Sequence, residues 1–372
     1  PRTSPLIFKR TRRYLGFWRT AVLGVFFFAG MFFCIRTSNQ SHVNWVWCVA
    51  AHPAIRQCKD VLLDQIPTLL DSCPLHRFNA DVPLDKLTII GAGLLGGSIG
   101  RAAQSKGLAK RVAALVRRPE SVAECQAIGI ANEVTLDPTE AVDGAELVVI
   151  CTPISGMAGL IRGILPALEP GVTITDVGST KKRLVGKLTP LCEKAGVHFI
   201  GSHPMAGSEQ TGPAAARANL FDDAICVITP TDNTDTGALV MVKRFWTDLG
   251  LHPVEMAPDL HDHLVARSSH LPHLLASTLS ENVLNRTHSE QQARLCATGF
   301  RDMTRLAAGS PAIWRDIVDS NRDDILAAID EFTEDLGRLR RLIAGDSMET
   351  IEAWLQHTKT IRDNWSHSTD ND

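Results

Sequence analysis

One local pattern narrows the folds open to this chain more than any other. Leu87-Thr88-Ile89-Ile90, a short apolar run, passes without a break into Gly91-Ala92-Gly93-Leu94-Leu95-Gly96, and a helix-compatible stretch follows through Ala103. An apolar run of that length closed by glycine reads as a buried strand. Gly91 permits a tight turn, Gly93 lets backbone approach an anionic ligand with no Cβ in the way, and Gly96 lets helix and strand pack closely. The helix N-terminus then offers free N–H groups and the positive end of its dipole. Strand, loop and helix in that order predict a dinucleotide pyrophosphate site formed by Gly91, Gly93, Leu94, Leu95 and Gly96.

The pattern continues down the chain. Val112–Val116 reads as a second strand; Leu147–Cys151 is a buried-strand run ending in Thr152-Pro153, and Thr173–Val177 ends in Gly178-Ser179. Strands alternating with helical segments predict an α/β class, with a Rossmann-type doubly wound parallel sheet. Ligands in such sheets bind beyond the carboxyl ends of the strands, where Thr152, Pro153, Ser179 and the segment around His203 all fall. At the end of the second strand, where an Asp or Glu would bind the ribose 2′-hydroxyl of NAD, stands Val116-Arg117-Arg118. Two guanidiniums and no carboxylate favour NADP, with NAD possible. The alternative is that Arg117 and Arg118 are solvated turn residues and either cofactor binds.

His203 follows an apolar run, Val197–Ile200, and precedes Pro204, which predicts a loop placement on the same rim. Carbinol oxidation needs a base within hydrogen-bond reach of the hydroxyl proton, and histidine suits that task at neutral pH. As a lone histidine it caps a turn instead. Ser179 holds the imidazole's second nitrogen or the substrate hydroxyl; otherwise it is an N-cap. His261, His263, His270 and His273 fall within thirteen positions. Zinc is one reading of such a cluster, but no Cys or carboxylate completes a usual spacing and nicotinamide hydride transfer needs none, so no metal is expected. Among the four, His273 is the one expected to face substrate.

Composition sets outer limits. A chain of 372 residues with 44% apolar content is long enough for two buried cores. The formal charge of −3 hides an asymmetry: residues 1–80 carry +7 and residues 81–372 carry −10. An acidic catalytic part argues against nucleic-acid binding. Nine cysteines without a Cys-x-x-Cys pair imply a reducing compartment and no disulfide framework, hence a cytoplasmic catalytic part. Residues 1–80 are expected to be a poorly structured extension. Within it, Ala21–Ile35 is an unbroken apolar run behind Lys9, Arg10, Arg12, Arg13 and Arg19, the pattern of a signal anchor. Its fifteen residues fall short of the ~20 that span a bilayer. Membrane contact holds only if that run is a real segment; the other reading is an over-extended start, since the first residue is Pro and the requirements of a dehydrogenase begin at Asp85.

Six blocks in order carry a resemblance: Gly91-x-Gly93-x-x-Gly96-Gly97-Ser98; Asp176-Val177-Gly178-Ser179; Gly201-Ser202-His203-Pro204-Met205-Ala206-Gly207-Ser208-Glu209; Ser269-His270-Leu271-Pro272-His273; Gly299-Phe300-Arg301-Asp302-Met303-Thr304-Arg305; and Trp314-Arg315-Asp316. Collinear over about residues 85–345, they resemble the prephenate/arogenate dehydrogenase family of tyrosine biosynthesis. The resemblance implies oxidative decarboxylation of prephenate to 4-hydroxyphenylpyruvate, with hydride passing from ring C4 to a nicotinamide. It implies that His203 accepts a hydrogen bond from the C4 hydroxyl and assists its deprotonation while Ser179 orients that pair. Arg305 then engages a carboxylate, His273 positions the pyruvyl side chain, and Ser269 and Thr304 line the pocket. Arogenate, by the same chemistry, is the alternative substrate; His273 leans the choice toward prephenate. Read without the resemblance, Arg305 is a surface salt-bridge partner.

The resemblance also implies a dinucleotide domain over residues 85–254, an all-helical substrate and dimerisation domain over 258–345, and a homodimer. Ile325, Ile329, Phe332, Leu336, Leu339 and Ile343 recur at helical spacing, a stripe expected to be core and partly intersubunit. Residues 346–372 are expected to form a C-terminal helix and a tail disordered from Ser366, with no appended chorismate mutase or ligand-sensing domain. Two departures from the family pattern stand out: the ribose acid is missing at Val116, and nothing in the family core corresponds to residues 1–80. A β-hydroxyacid dehydrogenase would need a catalytic lysine in the helical domain, yet residues 255–320 contain no Lys. A non-catalytic NADP-sensing protein would keep the glycine loop and lose His203, Ser179 and Arg305.

Overall fold

The computed structural model describes residues 34–36, 45–47, 83–207, 210–286, 288–345 and 347–369. The chain divides into two compact units, 1–77 and 78–372. In the first, the short strands Cys34–Arg36 and Trp45–Trp47 pair antiparallel. Apart from these, the expected extension 1–80 lies outside the described residues, as does the apolar run 21–35 except for its last two positions. Among the described residues no helix is long and apolar enough to cross a membrane.

The second unit opens with the dinucleotide-type sheet. Its strands are β1 (Leu84–Ile90), β2 (Ala109–Leu115), β3 (Glu133–Thr135), β4 (Leu147–Ile150), β5 (Thr173–Asp176), β6 (His198–Pro204), β7 (Ile225–Thr229) and β8 (His252–Glu255). They lie in the order β8-β7-β6-β5-β4-β1-β2-β3. From β3 to β6 every pairing is parallel. All four residues of β4 are buried, as expected of a central strand covered on both faces. Helices α1 (Leu94–Ser105), α2 (Pro119–Ala127), α3 (Pro138–Val142), α4 (Ile154–Ile164), α5 (Lys182–Glu193) and α6 (Thr236–Leu249) cover those faces. One apolar layer packs around Ile99 and Trp246, the other around Met157, Ile161 and Leu188. The strand order reverses between β1 and β4, so the crevice of the sheet opens at the glycine loop on one side and Thr152 on the other.

The far edge departs from expectation. His203 is a strand residue, not a loop residue: β6 runs on to Pro204. Its parallel pairing with β5 stops at Ile200, and from Gly201 onward it pairs antiparallel with β7, His203 opposite Val227. The sequence reading assigned no strand to Ile225–Thr229, so it lacked the partner that keeps the segment extended. One bond more continues this ladder, Met205 N donating to Ile225 O at 2.7 Å. Ser208 and Glu209, just beyond, lie outside the described residues.

After β8 the chain is helical. α7 (Pro258–Val265) runs through a π-helical turn, Ala266–His270, into α8 (Leu271–Leu284). Pro272 cannot donate to the preceding turn, which accounts for the break in the α-helical ladder there. α9 (Ser289–Leu295), α10 (Thr298–Thr304), a 3₁₀ turn at Arg305–Ala308, α11 (Pro311–Ser320), α12 (Arg322–Ala344) and α13 (Met348–Thr369) follow. The helix continues to Thr369, past Ser366 where a disordered tail was expected; Lys359 pairs with Asp363 and Arg362 stacks over Trp365, contacts that favour helix in this stretch. Ile325 of the apolar stripe is buried with Ala266, Leu271, Ile317 and Ala328, and Ile329 and Phe332 pack against them, whereas Leu336 and Ile343 are exposed.

Gly91 adopts φ +99°, and a Cβ on Gly96 would lie 2.0 Å from the Gly91 carbonyl oxygen, while a Cβ on Gly93 would meet nothing within 4 Å. Gly96→Ala is therefore expected to destabilise the protein by about 1–3 kcal/mol. Gly93→Ala should leave stability unchanged and weaken dinucleotide binding. Thermal denaturation with and without dinucleotide separates the two.

Candidate active site

The site grows from the end of β5. Asp176 is fully buried; its Oδ2 accepts from Gly178 N at 2.7 Å and from the Lys181 Nζ, and its Oδ1 accepts from Ser202 N at 3.0 Å. One carboxylate thus fixes the β5–α5 turn, neutralises a buried ammonium and holds the extension of β6. The Ser202 hydroxyl meets Thr175 Oγ1 at 2.8 Å and receives the Trp246 indole N–H at 3.0 Å. Next to this buttress stands half-buried His203.

The imidazole's partner is not Ser179. His203 Nδ1 lies 2.9 Å from His261 Nε2, and His261 Nδ1 lies 2.7 Å from Asp262 Oδ1. Ser179 is half-buried with no hydrogen-bond partner among the described residues, and the residue at the N-cap of α5 is Lys181. Of the two hydroxyl roles expected for Ser179, holding Nδ1 is excluded because His261 takes that position; contact with a substrate hydroxyl stays open. Asp262 also accepts from Lys181 N at 2.7 Å and Lys182 N at 2.9 Å, which satisfies the first turn of α5 from a helix of the second domain. Burial, then His261, Lys181 and His270, holds the His203 pKa well below its ordinary value, so the ring is neutral near pH 7.

Of the other predicted side chains, His273 is linked to this centre, through Trp314 to His270 and through Asn321 to Asp262. His270, fully buried, faces the Asn321 Nδ2 at 3.2 Å and stands edge-on to Trp314. His273, also buried, stacks on Trp314 with ring centroids 3.5 Å apart. Gly309 closes over the pair: a Cβ there would lie 2.7 Å from Trp314 Nε1 and 2.9 Å from His273 Cε1. Arg305, four residues upstream, is exposed at the start of the 3₁₀ turn and has no ion-pair partner among the described residues, unlike a surface salt-bridge arginine. Ser269 is half-buried in the π-helical turn. Thr304 donates its hydroxyl to Phe300 O at 2.6 Å, which spends that proton within its own helix. Of the histidine cluster, His263 lies outside the centre, exposed and 3.3 Å from Asp324.

The dinucleotide side of the crevice has the features an anion needs. α1 begins at Gly93 with no capping side chain and no acid in its first turn, leaving N–H groups unpaired. Thr152 Oγ1 is buried without a hydrogen-bond partner at the rim beside Pro153. Arg117 and Arg118 are exposed, and neither guanidinium has a protein partner among the described residues. The helical domain locks onto this rim through Asp316, whose Oδ2 accepts from Ser155 Oγ at 2.5 Å and Ser155 N at 3.3 Å at the start of α4. Those bonds, with Arg315, hold the Asp316 carboxyl below the usual carboxylate range.

Residues 99–255 match a family described as the prephenate dehydrogenase nucleotide-binding domain, and residues 257–357 match the prephenate dehydrogenase dimerization domain. The chain belongs to the prephenate dehydrogenase family. It is 32% identical over 285 residues to a prephenate dehydrogenase of Bacillus subtilis, covering 75% of this chain and 76% of that one. It is 34% identical over 277 residues to a cyclohexadienyl dehydrogenase of Zymomonas mobilis, covering 73% and 92%. Among solved structures, prephenate dehydrogenase from A. aeolicus in complex with hydroxyphenyl propionate and NAD+ superposes with a TM-score of 0.72 at 30% identity, over 76% of this chain and 99% of that one. The family assignment makes this chain a dehydrogenase with a nicotinamide-dinucleotide-binding domain. The glycine loop itself precedes residue 99, so its role rests on its geometry.

Sequence reasoning missed His261, Asp262, Asp176 and Lys181 as parts of the centre. The only signal for His261 was the histidine cluster, where it competed with a zinc reading. A pH prediction follows for its neighbour. Burial lowers the His270 pKa from 6.5 to about 4. The unfolded chain therefore binds the extra proton first: stability from this group is full above pH 6.5 and falls as pH drops toward about 4. Between pH 7 and 5 the protein is expected to lose on the order of 2 kcal/mol that a His270→Asn variant does not lose, read from urea denaturation at both pH values.

Proposed function

We propose that the protein oxidises prephenate to 4-hydroxyphenylpyruvate and CO2 in tyrosine biosynthesis, with His203 as the base. The observation that carries this reading is a neutral imidazole at the carboxyl edge of the sheet, held at Nδ1 by His261, with Nε2 unbonded among the described residues. The glycine loop, the first turn of α1, Thr152 and Pro153 hold the dinucleotide, and Arg117 and Arg118 take a 2′-phosphate, so NADP is preferred and NAD is the weaker cofactor. Bound there, the cofactor supplies the hydride acceptor.

The chain's own part is positional and electrostatic. His203 Nε2 takes the proton of the C4 hydroxyl as that carbon becomes a carbonyl. The ring carboxylate leaves as CO2, its electrons aromatise the ring, and the proton returns to the phenolic oxygen. Ser179 contacts the substrate hydroxyl, Arg305 clamps a carboxylate, and His273, fixed against Trp314, orients the pyruvyl side chain with Ser269 and Thr304 nearby. Arogenate is the second reading, favoured if a cationic amine replaces the side-chain ketone without loss.

The active form is a homodimer in this reading. Leu336, Leu339 and Ile343 line a shallow apolar groove on α12 with Arg340 and Ala344, and a dimerization-domain match covers that helix. Leu336→Asp with Ile343→Asp is expected to yield monomers by sedimentation.

Turnover followed at 340 nm with prephenate or arogenate, and NADP+ or NAD+, tests the assignment. Fastest turnover is expected with prephenate and NADP+, and His203→Asn should lower kcat on the order of 10³-fold. Arg117→Ala with Arg118→Ala should raise the Kd for NADP+ about tenfold and leave that for NAD+ nearly unchanged. Folded protein that binds NADP+ and turns over neither substrate would leave the sensor reading.

A further inference from the structure

We propose that His261 and Asp262, both on α7 of the helical domain, are positioning residues that set the tautomer of His203: proton on Nδ1, lone pair on Nε2. This rests on His203 acting as the base. The assignment follows from counting donors and acceptors along the chain of contacts. Asp262 offers only acceptors, and its two oxygens already take Lys181 N and Lys182 N. The His261 Nδ1, 2.7 Å from Oδ1, must therefore carry its proton. In neutral His261 the Nε2 is then the acceptor, and the His203 Nδ1, 2.9 Å away, must bring the hydrogen. His203 Nε2 is left bare, the form a base needs. The same logic orders an Asp–His pair behind a catalytic nucleophile, extended here by one imidazole.

A second proton would reverse the relay, because a doubly protonated His261 donates from Nε2 and drives the His203 proton onto its own Nε2. On the His203 side, burial with Lys181 and His270 nearby opposes a second proton, while the Asp262 carboxylate faces His261. Lys181, fully buried at the start of α5, lies beside His203 with its ammonium paired to Asp176 of β5. His270 of the π-helical turn and the Cys226 thiol of β7 complete the surroundings, and burial keeps that thiol protonated. A neutral imidazole is thus the stable state of His203 at pH 7.

The relay also ties the base to the docking of the two domains. Asp262 caps the first turn of α5 and its carbonyl accepts from Asn321 Nδ2 at 2.8 Å. The contact that seats α7 on the sheet domain is the one that orients His261. Helix packing and the protonation pattern of the base are therefore set together.

Nitrogen-15 NMR of the full chain labelled at histidine reads the tautomer without turnover. The expected result is His203 with protonated Nδ1 and unprotonated Nε2 at pH 7; a proton on Nε2 would overturn the proposal. His261→Leu removes the acceptor, and kcat with prephenate is expected to fall on the order of 100-fold, with KM and the Kd for NADP+ within about twofold and the His203 tautomer mixed. His261→Gln restores an acceptor oxygen and is expected to recover about tenfold of that loss. A His261→Leu protein within about threefold of wild-type kcat, or a Gln variant no better than Leu, would refute the relay. If the Leu variant does not fold, the wild-type NMR result decides alone. A wild-type protein inactive on prephenate would instead sink the functional reading and leave the tautomer measurement standing.

Discussion

The buried Asp176–Lys181 pair is the interaction on which the rest of this structure hangs. Both side chains are wholly removed from water, and an ion pair at that depth survives only when its remaining lone pairs and protons are satisfied. Here the carboxylate's lone pairs are satisfied by backbone that must itself be placed: Gly178 N in the turn after β5 and Ser202 N in the extension of β6. The pair therefore specifies the geometry of three elements at once. It anchors the extension of β6 that pairing with β7 keeps straight, and so helps to fix His203 on the rim.

From Lys181 the order passes to the second domain. Its backbone N–H is captured by Asp262, which brings α7 against the first turn of α5 and delivers His261 to His203. A second clasp, Asp316 on Ser155, lies at the start of α4 beside the dinucleotide rim. Both clasps use a carboxylate of the helical domain on the N-terminus of a sheet-domain helix, where unpaired N–H groups and the helix dipole favour negative charge. The active site is thus a product of docking. Neither domain holds it alone, since His203 comes from a strand and His261 from a helix about sixty residues later in the chain.

The glycine loop, the parallel order of the early strands, the burial of Leu147–Ile150 and the helical stretch from Ile325 to Ile343 were all legible in the sequence, because each follows from local periodicity or from backbone sterics. His203 was legible as a candidate base from its residue type and its place after a strand. Its conformation was not, since a strand needs a partner, and Ile225–Thr229 is more than twenty residues away with no local mark of pairing. Ser179 was assigned to the imidazole because it is close in the sheet rim; the histidine that takes the contact comes from another domain.

The sequence by itself determined the dinucleotide crevice. A strand, three glycines and an uncapped helix N-terminus are adjacent in the chain, so local chemistry suffices to build them. Only the tertiary structure decided which histidine of four meets His203, which face of α12 is left exposed, and how the buried charges are paired. Those outcomes depend on which donors and acceptors remain unsatisfied once distant segments are brought together out of water, and that accounting has no local signature.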